Sequence, residues 1–192
     1  MGMEADLTLA QDLCARLCHD LVGPLGTMAG AVEMAGDDPE AGDLAREAAS
    51  SLRARLQLWR AACGAGTGPM SPPELAALLE GNLAGGRATL ALEVPPERIF
   101  PSALAQLLLV AAMLGGEALP RGGVVRLRPH GTGLELRPEG RVLAWPPSLA
   151  AALAGEAAEG PRAVLAPILL RLAGAAGWQA RLEPEALTLR PR

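Results

Sequence analysis

Few side chains in this sequence can do chemistry. There are two histidines, His19 and His130, and three cysteines, Cys14, Cys18 and Cys63. Lysine is absent, which removes P-loop, Schiff-base and lysine-base chemistries at once. Asn82 is the sole asparagine, and no aspartate follows Asp43. No Gly-x-Ser-x-Gly, His-Glu-x-x-His or Gly-x-Gly-x-x-Gly occurs. His19 stands out among what remains. Helical spacing groups it with Asp12, Arg16, Gly23 and Gly26, opposite a leucine stripe, and Asp20 follows it directly. A histidine on the wet face of a helix is no ordinary core residue. Each glycine beside it costs a helix about 1 kcal/mol relative to alanine, so two on that face point to another surface that must approach closely. Pro24, five residues on, removes a helical hydrogen bond and predicts a kink. Cys14, Cys18 and His19 lack an evident fourth ligand, and cysteines spaced i, i+4 read as small buried hydrophobes instead of a metal site. His130, beside Gly131 and Gly133, reads as an exposed loop residue.

The elements that must position these groups follow from periodicity. From about Ala5 to Ala35, apolar residues recur at Leu7, Cys14, Leu17, Leu21, Leu25, Met28 and Val32, the spacing of an amphipathic helix. The turn-forming GDDPEAGD separates it from a second stripe through Leu44, Ala48, Leu52, Leu56, Trp59 and Cys63. A short connection makes these two helices an antiparallel hairpin. Such a pair cannot bury both stripes alone, and a second copy would complete a four-helix bundle, so a homodimer is expected. The Gly/Pro-rich stretch 62–73 marks a linker, dividing the chain into residues 1–66 and 67–192. Beyond it come helices over 73–84, 101–119, 147–154 and 162–173. Alternating strands are expected over 87–94, 124–128, 134–137, 178–183 and 187–190. In the last four strands Val125, Leu127, Leu134, Leu136, Ala180, Leu182, Leu187 and Leu189 share one face. Arg126, Arg128, Glu135, Arg137, Gln179, Arg181, Glu183, Thr188 and Arg190 are on the other. The fold class is α+β: a helical hairpin followed by a two-layer sandwich on a largely antiparallel sheet.

Composition excludes further classes. The 192 residues are half hydrophobic, so a packed core is available, and the net charge is −4 with only four aromatic residues. That balance offers neither the phosphate-neutralising charge nor the stacking rings of a nucleic-acid binder. No apolar run approaches the ~20 residues that cross a bilayer. The acidic N-terminus has no secretory signal pattern, and three cysteines show no disulfide rhythm. A reduced, cytoplasmic protein with buried thiols is the expectation.

The run His-Asp-Leu-x-x-Pro-Leu (His19–Leu25) resembles the phosphoacceptor box of bacterial sensor histidine kinases. The fuller stretch LCHDLVGPLGTMAGAVEM (17–34) is more similar to the ChpT-type histidine phosphotransferases of bacterial phosphorelays, as is LLLVAAMLGGEALPRGG (107–123). Where that pattern has polar residues after Gly26, this chain has Ala29 and Gly30. The resemblance implies a dimeric helical hairpin joined to a degenerate histidine-kinase ATPase-like domain. A working kinase of that fold needs a Mg²⁺-chelating Asn on the helix at 101–119 and an Asp-x-Gly for adenine. Neither residue is there, so no ATP site is expected. The implied function is a phosphorelay carrier. His19 would take a phosphoryl group from the aspartate of one receiver domain, as on a hybrid histidine kinase, and pass it to that of a response regulator. The resemblance gives Asp20 the role of orienting His19. Arg16, Gly23 and Gly26 would meet the partner, and Pro24 would kink the helix. No cofactor is expected on this chain, since Mg²⁺ would travel with the receiver. Whether such a carrier counts as an enzyme is a matter of convention. The rival expectation is a non-catalytic scaffold built on a degenerate kinase.

Overall fold

The computed structural model describes residues 2–36, 38 and 40–192. Among them the chain forms six helices and a five-stranded sheet. Helix α1 spans Gly2–Met34 and α2 spans Ala41–Cys63. They pack side by side as the expected hairpin. Asp37 and Pro39 of the connecting turn lie outside the described residues. Helix α1 runs on through Pro24.

Helix α3 (Pro72–Leu79) starts at a capping box, in which the Ser71 amide and hydroxyl both donate to Glu74 at 2.7 Å. These bonds favour the ionised carboxylate and hold Glu74 below its ordinary range. A 3-10 turn at Leu83–Gly86 leads into β1 (Ala88–Leu92). Helix α4 (Ser102–Glu117) is apolar nearly all round, and such a helix must be enclosed. It lies buried against β1, β2 (Gly123–His130) and β3 (Gly133–Glu139). A Cβ on Gly115 would stand 3.0 Å from Val125 Cγ1, so glycine is what lets α4 press onto the sheet. Helices α5 (Pro147–Leu153) and α6 (Leu165–Ala176) complete the layer, and β4 (Trp178–Leu182) and β5 (Leu187–Pro191) complete the sheet. The strand order is β1-β2-β3-β5-β4, with β1 parallel to β2 and the other pairs antiparallel.

Three sequence expectations need correction. The outer face of the sheet is not simply wet. Glu135 and Thr188 are buried there; the side chains of Arg128 and Arg137 reach Glu135, and the Thr188 hydroxyl donates to the Arg181 carbonyl. Arg128, directly opposite in the register, donates to Glu135 at 2.8 and 3.1 Å. His130 is not a free loop residue: it ends β2, with Nδ1 at 3.0 Å from Glu135 and Nε2 at 3.2 Å from Arg190. Cys14 and Cys18 are exposed, not buried. Cys63 is the enclosed thiol, pushed up to about 11 by burial.

The hairpin is fixed to the sheet-bearing part at its open end, by the N-terminal half of α1 and the C-terminal end of α2. Leu9, Leu13 and Leu17 form a second apolar stripe on α1 that packs against the main core, joined by Leu58, Trp59 and Ala62 of α2. Asp12 accepts a hydrogen bond from the Gly160 amide at 2.7 Å, and Gln106 of α4 donates to the carbonyls of Ala61 and Gly64. No helix among the described residues is long and apolar enough to cross a membrane.

Candidate functional site

His19 is displayed midway along α1, its side chain 74% exposed. Its Nδ1 is 3.2 Å from Asp20 Oδ1. A carboxylate oxygen can only accept, so in the neutral ring this contact favours the tautomer with the proton on Nδ1 and the lone pair on Nε2. Asp20 itself is largely sequestered. Both of its carboxylate oxygens accept from Arg16 Nε one helical turn earlier, at 3.1 and 3.2 Å. Arg16 Nη2 donates in turn to Glu117 at the end of α4, at 2.6 Å. Burial works against the guanidinium's charge, but it lies between two carboxylates, Glu117 and Asp20, which outweigh burial and hold it charged. Burial pushes the Glu117 carboxyl above its ordinary range, and the Arg16 charge partly offsets that effect.

Pro24 shapes the same spot through the atom it lacks. In an α-helix the carbonyl of Asp20 would accept from the amide of residue 24, and proline has none. Arg55 of α2 supplies the missing donor, its Nη1 reaching the Asp20 carbonyl at 3.2 Å. The hairpin partner is therefore anchored at the residue that contacts His19.

The sequence expectation brought His19, Asp20, Arg16, Gly23, Gly26 and Pro24 together, and all lie on this stretch of α1. Gly23 and Gly26 are exposed, and an added Cβ at either meets nothing within 4 Å, so none of the described residues packs on them. Arg16 is the departure. Instead of facing outward to a partner it is turned inward, 17% exposed, and committed to Asp20 and Glu117. Periodicity missed Glu117 and Arg55, since both reach the site from other helices. Glu117 did carry a signal, being the one charged residue in the otherwise apolar α4.

Beside His19 lies an open groove of about 940 Å³. Arg16, His19, Asp20 and Glu117 form one wall; the other comes from Pro146–Ser148 and the loop Glu159–Ala163. A second hollow of about 660 Å³, between the end of α2 and the linker, contains no histidine or cysteine. Among the described residues no group of three or more His, Cys, Asp or Glu converges as metal ligands.

Comparison with known proteins identifies the family. Residues 72–186 match the family described as histidine phosphotransferase C-terminal domain. The chain belongs to the histidine phosphotransferase family. It is 30% identical over 173 residues to protein phosphotransferase ChpT of Brucella abortus (strain 2308), covering 81% of this chain and 78% of that protein. A solved bacterial phosphotransferase superposes with a TM-score of 0.76 at 27% identity, over 95% of both chains. In this family member the matched region supplies Glu117 and the far wall of the groove, while His19 comes from the helix before it.

The role of Pro24 can be tested energetically. Removing the Arg55 side chain leaves the Asp20 carbonyl without a donor, at a cost of about 1–3 kcal/mol. Arg55→Ala should therefore destabilise the wild type clearly in denaturant melts. It should cost much less beside Pro24→Ala, where a helical amide replaces the lost donor. Equal costs in both backgrounds would contradict this account.

Proposed function

We propose that the protein is a phosphorelay carrier in which His19 accepts a phosphoryl group from the aspartyl phosphate of one receiver domain and delivers it to the aspartate of another. The observation that carries this reading is an exposed imidazole whose Nδ1 is engaged by Asp20, leaving Nε2 open toward a groove wide enough for a partner's loops. In the forward step the Nε2 lone pair attacks phosphorus, the acyl phosphate P–O bond breaks, and the partner's aspartate leaves as a carboxylate. The phosphorylated ring keeps its Nδ1 proton and gains positive charge, which Asp20 stabilises. Delivery reverses the path: a carboxylate attacks phosphorus and neutral imidazole departs. No proton need enter or leave His19 in either direction. The receiver brings its own Mg²⁺.

The open backbone at Gly23 and Gly26 supports docking of the receiver along this face, where absent side chains permit close approach. Transfer without ATP fits the residues present, since α4 has no Asn and no Asp occurs after Asp43. The apolar residues left exposed on the hairpin, among them Leu7, Val22, Leu25, Val32, Leu44 and Leu56, support a homodimer through a four-helix bundle.

Two experiments test this reading. Incubation with a labelled, phosphorylated receiver should transfer label to the wild type and none to a folded His19→Ala. Label persisting on His19→Ala, or appearing on neither from a panel of competent receivers, would contradict it. Leu25→Glu should turn a dimer into a monomer by light scattering at micromolar concentration. A wild type that is already monomeric would refute the bundle.

A further inference from the structure

From the way α4 meets α1, we infer that Glu117 is a positioning residue for the phosphoacceptor, acting through Arg16 to set the Asp20 carboxylate against His19 Nδ1. The inference rests on the reading of His19 as the phosphoacceptor. Arg16 and Asp20 are an i, i+4 pair with the cation N-terminal to the acid, the weaker orientation on a helix, and such pairs alone contribute little. Alone, that pair would leave both side chains free to sample other rotamers, and Asp20 with them.

Glu117 changes this. The Nε and Nη2 hydrogens of a guanidinium point the same way from one rigid edge, a fork that ordinarily grips a single carboxylate. Here that edge spans two. Nη2 is tied to Glu117 at 2.6 Å on a helix that is itself locked in the core. With the plane of Arg16 so fixed, Nε can point in one direction only, at both oxygens of Asp20. Oδ1 is then left aimed at His19. The chain of contacts runs from the core to the imidazole without passing through the receiver-facing glycines. Burying a lone carboxylate in an apolar helix is costly, and burial does raise the Glu117 carboxyl. Glu117 is only a quarter exposed, and replacing such a pair by apolar residues is often neutral or stabilising, so stability alone does not account for it.

The consequence concerns how readily His19 is phosphorylated, not how tightly a receiver binds. It is therefore best measured with a small donor that makes no use of a docking surface: phosphoramidate, which phosphorylates imidazoles directly. His19 phosphorylation would be followed on phosphate-affinity gels for the full-length wild type, Glu117→Ala, Glu117→Gln, Asp20→Ala and the two double variants with Asp20→Ala. Thermal melts would accompany each. Glu117→Ala should slow phosphorylation by about tenfold, within the range of coupling between neighbouring groups. Glu117→Gln, whose amide oxygen can still accept from Arg16, should recover most of the rate and also covers the case in which the alanine variant does not fold. Beside Asp20→Ala, neither Glu117 substitution should slow the reaction further. A folded Glu117→Ala at the wild-type rate would overturn the inference. So would a loss of equal size with and without Asp20, which would mark a merely structural contact. The inference also fails if Asp20→Ala itself reacts at the wild-type rate. Wild-type protein that takes no label on His19 would instead overturn the phosphoacceptor reading, and this inference with it.

Discussion

An exposed imidazole has two nitrogens and no inherent reason to present one of them. In this protein one contact bears on that choice, 3.2 Å between His19 Nδ1 and Asp20 Oδ1, and much of the surrounding structure converges on it. Asp20 is held at both ends: its carboxylate by Arg16, its carbonyl by Arg55. The first tie is braced by α4 and the second by α2, so the orientation of one ring depends on three helices. The site is rigid behind the histidine and open in front of it. That division suits the proposed exchange of a phosphoryl group with more than one receiver through the same atom.

Helix α1 has to satisfy several demands at once, which explains why it is neither cleanly amphipathic nor regular in sequence. One stripe, Leu9, Leu13 and Leu17, packs against the main core, and a second, including Leu7, Val22, Leu25 and Val32, stays exposed. Between them runs the face with His19, Gly23 and Gly26. Glycine and proline in mid-helix are locally unfavourable. The helix tolerates them because tertiary contacts, not intrinsic propensity, hold it: the Asp12 carboxylate on the Gly160 amide, the leucine stripe on the core and α2 alongside.

The element order was almost entirely legible in the sequence because it rests on local periodicity, which the order of apolar and polar residues itself carries. The alternation of Val125 and Leu127 with Arg126 and Arg128, for instance, announced a two-faced strand, and β2 is one. His19 and Asp20 were legible because they are neighbours on one helix. Glu117 was not, since it lies 101 residues from Arg16 and no helical wheel spans two elements. The inward turn of Arg16 and the donor from Arg55 were hidden for the same reason. Burial of Glu135 was missed because alternation marks which side of a sheet a residue faces, not what its neighbours lay over it. Cys14 and Cys18 were misread as core because the apolar stripe to which they belong remains uncovered in the single chain.

The central claim is that Asp20 fixes the His19 proton on Nδ1 and thereby makes Nε2 the atom that carries the phosphoryl group. Nitrogen-15 and phosphorus-31 NMR on protein labelled at histidine and then phosphorylated would test it most directly. The account predicts a single phosphohistidine, at His19, with phosphorus coupled to Nε2 and a proton retained on Nδ1. Phosphorus coupled to Nδ1, or phosphate on His130 instead, would contradict it.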